Sequence, residues 1–155
     1  METLNWYAIK VFYNRTAAVC GELREKGIEL YCQEIIPAFV FLHCTKDQMD
    51  KVRQRYWERV FVYCTADRKE PYPIPEKEMT TFRLVTSMGS DGLLYLGDDK
   101  AEYHQGDRVR VTDGPFKDAE GYIKRIKKDR RLIVSINGVA AVAVAHIPPQ
   151  LLEKI

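Results

Sequence analysis

The feature of this sequence that most constrains its fold is the order of six short segments within the first 65 residues. Segments rich in β-branched and aromatic residues are typical of strands, whereas apolar residues spaced three and four apart behind a capping residue are typical of helices. Thr45 and Gln48 form a capping box, and Met49, Val52 and Tyr56 then repeat at helical spacing. The predicted elements are strands at residues 6–12, 28–36, 39–43 and 60–65, with one helix after Asn14 and another after Thr45.

That order (strand, helix, strand, strand, helix, strand) predicts an α+β domain with the ferredoxin-like βαββαβ arrangement. In that arrangement the four strands form one antiparallel sheet, and both helices lie on the same face of it. The proline-rich segment 71–75 must then be extended, because a residue before proline avoids the helical region. Pro75 suits the first turn of a third helix, which would carry Met79, Phe82 and Val85 on one side.

The second half of the chain has a different composition. Residues 88–105 hold three glycines and three aspartates around a short apolar run, which is typical of a flexible linker with one marginal strand. Beyond it, Val109 and Val111 alternate with arginines, and short extended segments recur at the spacing of a small all-β barrel. We therefore expect a first domain at residues 1–87, the linker at 88–105 and the barrel at 106–155.

Composition and charge limit the class of protein. The 155 residues are 46% hydrophobic and 30% charged, which is the balance of a folded protein. The net charge of +2 favours no particular partner by itself. The longest nearly uncharged stretch, residues 139–149, is shorter than the ~20 residues that cross a bilayer, and residues 1–10 lack a signal-peptide pattern. We expect a cytoplasmic protein.

Catalytic and metal-binding motifs are missing from the sequence. It contains no phosphate loop, no dinucleotide fingerprint, no HExxH and no GxSxG, so we expect no enzyme activity. Cys44 follows His43, but neighbours on a strand point to opposite faces, which disfavours a nucleophile and base pair. With Cys20, Cys32 and Cys64 it forms no CxxC pair, so we expect reduced core thiols, no metal and no cofactor.

Residues 106–121, GDRVRVTDGPFKDAEG, resemble a KOW motif. This motif marks an SH3-like barrel that occurs in transcription elongation factors and some ribosomal proteins. Its parts have physical reasons: Gly106 and Gly114 supply turn backbone, and Gly121 suits a close approach of two backbones. The resemblance implies that the small barrel at the end of the chain is SH3-like.

The first 87 residues resemble the N-terminal domain of NusG. The resemblance lies in Trp6-Tyr7 at the first strand, in IPAF at residues 36–39 where the family has FPGY, and in PIPEKE at residues 73–78. Both domains follow the family's order, so the chain resembles NusG-like elongation and antitermination factors, including the RfaH and UpxY-type paralogues. A charged hairpin that family members often carry before the FPGY strand is missing, so DNA contacts assigned to it do not transfer.

The resemblance also implies candidate binding residues. In the family, the first domain binds the clamp helices of the largest RNA polymerase subunit through a shallow apolar groove, and the barrel recruits a further factor such as a ribosomal protein or a termination factor. The sequence pattern alone leaves open whether Phe39 and Phe41 or their alternating neighbours face the helices. By family position, Tyr13 and Arg15 lie beside upstream DNA, with an ordinary surface position as the alternative. The matching groove residues are Lys10, Phe12, Ile36, Pro37, Phe39 and Phe41.

The most basic part of the chain is a predicted hairpin at residues 124–131. It predicts a contact with RNA or an acidic partner, while the lack of an interleaved aromatic residue leaves a solvated tip as the alternative. This leaves a second function open, an RNA-binding or ribosome-associated KOW protein whose first domain is a scaffold. The six cations are Lys124, Arg125, Lys127, Lys128, Arg130 and Arg131.

Overall fold

A computed structural model describes residues 3–87, 92–145 and 147–155. The chain divides into two compact units, Met1–Glu76 and Lys77–Ile155. The predicted fold class is confirmed: the first unit is mixed α and β, and the second is rich in antiparallel strands. The predicted domain boundaries at residues 87 and 106 stay a prediction.

The first unit has the element order that the sequence predicted. Its four strands pair in the order β2-β3-β1-β4, and every pairing is antiparallel. Only residues 32–38 connect β2 to β3, so the charged hairpin of the family is missing here, as expected. The elements are β1 Leu4–Val11, α1 Thr16–Glu25, β2 Glu29–Tyr31, β3 Phe39–Thr45, α2 Lys46–Arg55 and β4 Val60–Val62.

The two helices of this unit begin differently. The capping box before α2 is present, because the Gln48 amide donates to the Thr45 hydroxyl at 3.1 Å and the Thr45 amide donates to the Gln48 side chain at 3.0 Å. The expected cap of α1 by Asn14 is wrong. Asn14 lies in the left-handed region with φ 55°, and Arg15 precedes the helix without a side-chain cap.

The core of the first unit lies between the sheet and the helices α1 and α2. Val40 and Leu42 belong to it, together with Ile9 from β1, Leu23 from α1 and Met49 from α2. The face of β3 that carries Phe39 and Phe41 therefore points away from α1 and α2. This settles the alternative that the sequence pattern left open.

The second unit contains a six-stranded antiparallel sheet in the order β10-β6-β7-β8-β9-β5. Gly121 allows close packing within it, because a Cβ there would overlap the carbonyl oxygen of Ile133, as the sequence predicted. The elements are helix α3 Glu76–Ser87, strands β5 Leu94–Gly97, β6 Arg108–Val111, β7 Glu120–Ile126, β8 Asp129–Ile136, β9 Ala140–Ala143 and β10 Leu152–Lys154, and 3-10 turns at Ala101–His104 and Pro149–Leu151.

The stretch that was predicted as a linker contributes to this sheet. Strand β5 pairs with β9, so the marginal strand expected here is present. The 3-10 turn at Ala101–His104 follows it and places Tyr103 in a buried cluster with Ile133. Residues 88–91 of the predicted linker lie outside the described residues. Secondary structure thus continues through the described part of that stretch, whose flexibility stays a prediction.

Candidate functional site

The face of the first sheet that points away from α1 and α2 carries a group of aromatic residues. We call it the aromatic face. Lys10 lies at its centre, because it pairs with Phe39 of β3 on one side and with Phe61 of β4 on the other. The Lys10 Nζ lies 5.7 Å from the centroid of the Phe39 ring, which is a cation–π distance. The residues of the aromatic face are Lys10, Tyr31, Phe39, Phe41, Phe61 and Tyr63.

The rings of this face form a continuous stack across the sheet. Phe39 stacks on Tyr63 with centroids 5.6 Å apart and lies 6.3 Å from Phe41. Tyr31 lies 6.3 Å from Phe41 at one end, and Phe61 meets Tyr63 edge to face at 5.0 Å at the other. Such pairs stabilise by about 0.5 to 1.5 kcal/mol beyond the area they bury.

The exposure of this face differs from the sequence expectation. The family resemblance places Phe39 and Phe41 in a shallow binding groove, but the two residues are only 1% and 0% exposed. Tyr31 and Tyr63 flank the two rings along the sheet. Phe61, on the edge strand, is 50% exposed and is the most exposed ring of the face, while Tyr31 and Tyr63 are partly exposed.

The other residues of the predicted groove are spread over different environments. Ile36 is fully buried, Pro37 is exposed and Phe12 is partly exposed. Ala38, which follows Pro37, adopts the left-handed region with φ 69°, at the position where the family has glycine. Its carbonyl accepts a hydrogen bond of 2.8 Å from the Val11 amide, which ties the turn to the end of β1.

Sequence reasoning missed Phe61, Tyr63 and Tyr31. The missed signal was alternation within the fourth strand, where Val60 and Val62 belong to the core. Their neighbours must then share a face with Phe39 and Phe41, because side chains alternate along a strand.

A second candidate surface of this unit surrounds the predicted DNA-contacting residues. Tyr13 is 80% exposed and, like Asn14, has a left-handed φ. The amide of Phe12 donates to the carbonyl oxygen of Arg59 at 2.8 Å, so this turn lies beside the segment that connects α2 to β4. Arg15 is exposed on the same turn.

The connection after α2 brings cations and an aromatic ring together. Three cationic groups lie over the buried Tyr56 ring at 4.7 to 5.8 Å from its centroid: Lys26, Arg55 and Arg59. The Tyr56 hydroxyl donates to the Glu22 carboxylate at 2.7 Å, which lowers the pKa of that carboxyl group. Trp57 beside it is an exposed large ring. No sequence pattern indicates this cluster, because Glu22 and Lys26 lie far from Tyr56 in the sequence.

In the second unit, the basic hairpin is present as predicted and consists of β7, β8 and a two-residue tip. Lys127 and Lys128 form the tip, with left-handed φ angles of 50° and 75°. Below the tip, Arg125 lies opposite Arg130 and Lys124 lies opposite Arg131. Directly opposed like charges destabilise a pair of strands. The hairpin therefore holds its cations at a cost in stability.

Two of the six cations of the hairpin have partners. Lys124 Nζ lies 4.0 Å from a carboxylate oxygen of Glu102, and Arg131 donates to the carbonyl oxygen of Gly92 at 2.5 Å. Within the described part of the chain, no ion pair involves the other four, which are Arg125, Lys127, Lys128 and Arg130, and all four are exposed.

The cysteines and His43 behave as structural residues. Cys44 lies in the core while His43, on the opposite face, stacks on Trp6 with ring centroids 4.7 Å apart. Burial raises the pKa of the Cys44 thiol to about 11, and burial together with the neighbouring Cys32 raises that of Cys20 to about 11. Both thiols are therefore protonated at neutral pH and are poor nucleophiles.

Two kinds of feature are not found among residues 3–87, 92–145 and 147–155. No group of three or more histidine, cysteine or acidic side chains is arranged to hold a metal ion there. No helix in those ranges is both long enough and apolar enough to cross a membrane.

Comparisons with known proteins agree with the two-part resemblance. A family model described as the KOW motif matches residues 105–137. The transcription termination/antitermination protein NusG of Haemophilus influenzae is 31% identical over 80 residues, which are 51% of this chain. The matched segment is 41% of that relative, so the chain spans less than half of the relative's length.

A solved structure agrees with the fold of the whole chain. It concerns domain interaction in Thermotoga maritima NusG and matches with a TM-score of 0.52 at 19% identity, covering 99% of this chain and 98% of that one. At that identity the match shows the fold alone. Taken with the KOW motif and the relative from Haemophilus, the chain is NusG-like, and its resemblance is to transcription factors.

Proposed function

We propose that this NusG-like chain is a bacterial transcription elongation or antitermination regulator. Its first unit binds the clamp helices of the largest RNA polymerase subunit, and its second unit recruits another factor. The similarity to a termination and antitermination protein supports a role in transcription. The KOW motif supports the proposal that the second unit recruits another factor. Regulation follows from binding alone, because a ligand that prefers one conformer of the polymerase raises the population of that conformer.

The observation that carries this proposal is the aromatic face. Phe61 presents a half-exposed ring beside the partly buried Tyr63, which stacks on the buried Phe39, and Lys10 adds a positive charge at the centre of the face. An accessible ring that rests on a rigid apolar surface is typical of an interface anchor. The positive charge favours an acidic partner surface next to that anchor.

A binding measurement with purified core polymerase tests this assignment. We expect the change Phe61→Ala in the full chain to weaken binding roughly thirtyfold, which corresponds to about 2 kcal/mol for an interface anchor. Trp57→Ala is the matched control, since Trp57 is also an exposed aromatic residue but lies in the turn after α2 rather than in the sheet. Equal affinities for the two variants and the unchanged chain would contradict polymerase binding through the aromatic face.

On the same proposal, the turn around Tyr13 and Arg15 lies beside upstream DNA. The exposed Tyr13 ring and the neighbouring Arg59 support it, because single strands bind where aromatic rings and cations occur together. We expect Arg15→Glu to reduce DNA crosslinking in a transcribing complex while polymerase binding persists. Unchanged crosslinking would mean that this turn is an ordinary surface.

The basic hairpin favours the second candidate function, an RNA-binding or ribosome-associated KOW protein. Its four exposed cations without ion-pair partners in the described residues suit a polyanion. A pull-down with the full chain separates the two functions. Polymerase retained in a Phe61-dependent manner supports the first function, whereas ribosomes or ribosomal RNA retained without polymerase support the second.

A further inference from the structure

The second unit has an apolar cavity of about 220 Å³. It lies beside the basic hairpin at one end of the sheet. Its walls are aliphatic and include Val109, Ile123, Leu132, Ile147 and Leu152. Val109 and Leu132 are buried, whereas Ile123, Ile147 and Leu152 are half-buried and form the accessible part of the wall. A cavity of this kind accommodates one aliphatic or aromatic side chain.

The basic hairpin continues the wall of this cavity. Ile123 lies opposite Leu132, and the next pair along the same face of the hairpin is Arg125 opposite Arg130. Arg130 itself borders the cavity. An apolar pocket and a pair of guanidinium groups therefore follow one another on a single face, with the Lys127–Lys128 tip beyond them.

The charges at the rim are not balanced. Lys154 and Asp107 both border the cavity and neutralise each other at 3.5 Å. Arg125 and Arg130 are exposed, and no ion pair between described residues involves either of them. Two arginines held directly opposite each other favour an anionic group between them, because each guanidinium offers a bidentate hydrogen-bonding edge.

We propose that this cavity and the arginine pair bind an acidic segment of a partner protein, which inserts one apolar side chain into the cavity and places carboxylates on Arg125 and Arg130. The inference rests on the proposed role of the second unit in recruiting a factor, and it adds the place and the chemistry of the recruited segment.

The walls favour a protein segment over a nucleic acid. No aromatic ring lines this cavity, so a nucleobase would find no surface on which to stack. The aliphatic walls also offer no side-chain amide or hydroxyl group to read the edge of a base. A leucine or phenylalanine flanked by glutamates matches both the apolar walls and the two cations.

The test uses the isotope-labelled full chain and a synthetic capped hexapeptide with two glutamates on either side of leucine and phenylalanine. We expect NMR shift changes at Ile123, Ile147 and the arginine pair that saturate with peptide. A peptide with serines in place of leucine and phenylalanine, and another with glutamines in place of the glutamates, should each bind roughly tenfold more weakly.

Charge reversal tests whether the hairpin is the binding site. The double variant Arg125→Glu and Arg130→Glu should lose roughly tenfold or more in peptide affinity. The control is Lys100→Glu with Lys117→Glu, two exposed cations of the same unit whose reversal changes the net charge equally. Both variants should retain the amide spectrum of the folded sheet.

Three outcomes would overturn the proposal: no saturable binding of the hexapeptide, equal loss in the control variant, or arginine-dependent binding of a single-stranded oligouridylate in place of the peptide. None of them depends on polymerase, so failure here is distinct from failure of the Phe61 experiment.

Discussion

The carboxylate of Asp99 accepts a hydrogen bond from Nε2 of His104 at 2.7 Å, although Asp99 is almost completely buried, with 3% of its side chain exposed. The same carboxylate accepts a bond of 2.8 Å from the Gly138 amide. Asp99 thereby joins the 3-10 turn at Ala101–His104 to the turn between β8 and β9. A segment whose composition is that of a linker thus has a side-chain link to the sheet in addition to the pairing of β5 with β9.

The first prediction concerns this acid. Asp99→Ala should destabilise the second unit by about 2 kcal/mol, because it leaves the Gly138 amide without its acceptor and removes hydrogen bonds to a charged group. Hydrogen exchange at the Gly138 amide should accelerate accordingly. Asp107→Ala is the control, since its exposed pair with Lys154 should contribute well under about 1 kcal/mol. Equal effects of the two changes would show that Asp99 is not a structural link.

The second prediction concerns Ala38, whose φ of 69° is a conformation that glycine adopts freely. Ala38→Gly should stabilise the first unit by about 0.5 to 1 kcal/mol, since the relief of left-handed strain exceeds the added entropy of the unfolded chain. Urea denaturation measures the change. Ala17→Gly in the exposed first turn of α1 should have the opposite sign, at up to about 1 kcal/mol. Destabilisation by both changes would contradict strain at Ala38.

The third prediction separates stability from binding on the aromatic face. Phe41→Ala should destabilise the first unit by about 3 to 5 kcal/mol, because it opens a cavity at a fully buried ring. Phe61→Ala should cost well under that, since half of its side chain is already in water. Thermal denaturation of both variants checks this. A larger loss for Phe61 than for Phe41 would contradict the assignment of the exposed and buried rings.

The fourth prediction concerns pH. The thiols of Cys20 and Cys44 have pKa values of about 11 in the folded protein, compared with 9.0 for a free thiol. The unfolded chain therefore releases these protons first as the pH rises, and the stability that the neutral thiols contribute is complete below pH 9 and declines between pH 9 and pH 11.

A double variant tests that decline. Cys20→Ala with Cys44→Ala should lower stability at pH 7 but flatten its fall above pH 9, which urea denaturation at several pH values would detect. Alkylation gives a second measure: both thiols should resist iodoacetamide at pH 7.5, because the thiolate is the reacting species. Identical pH profiles for the variant and the unchanged chain would contradict the raised pKa values.

The sequence predicted those parts of the fold that depend on local patterns. The capping box of Thr45 and Gln48 and the alternation along β3 are properties of neighbouring residues, and both are present. Burial of Phe39 and Phe41 was not predictable in this way, because a strand pattern assigns a face but not what covers it. The link between Asp99 and Gly138 spans 39 residues, so the composition of the segment could not indicate it.

The candidate sites also divide into those that a local sequence pattern predicts and those that depend on long-range contacts. The cations of the basic hairpin all lie within residues 124–131, so the sequence could predict them as one candidate site, and the family resemblance led to Lys10 and Phe39. Phe61 lies far from Phe39 in sequence, and only the common partner Lys10 in β1 brings them to one face. The cations around Tyr56 come from the residue after α1, from the end of α2 and from the α2–β4 connection, and no local pattern joins the first of them to the others.

The last prediction concerns the tip of the basic hairpin, where Lys127 and Lys128 hold left-handed backbone that asparagine and glycine adopt more readily. Lys127→Asn with Lys128→Gly should stabilise the second unit by about 1 to 2 kcal/mol, since it relieves strain at both positions and reduces repulsion among the cations. The same change should weaken binding of an acidic ligand at low ionic strength much more than at high, because exposed charges are screened within about 8 Å at physiological salt. Denaturation and salt-dependent titrations measure the two effects on one variant.

The control for the tip is Lys127→Arg with Lys128→Arg. It keeps both the charge and the backbone strain, so it should change neither the stability of the unit nor the binding of the acidic ligand. A stabilised variant whose binding is unchanged at every salt concentration would show that the tip is only a solvated turn.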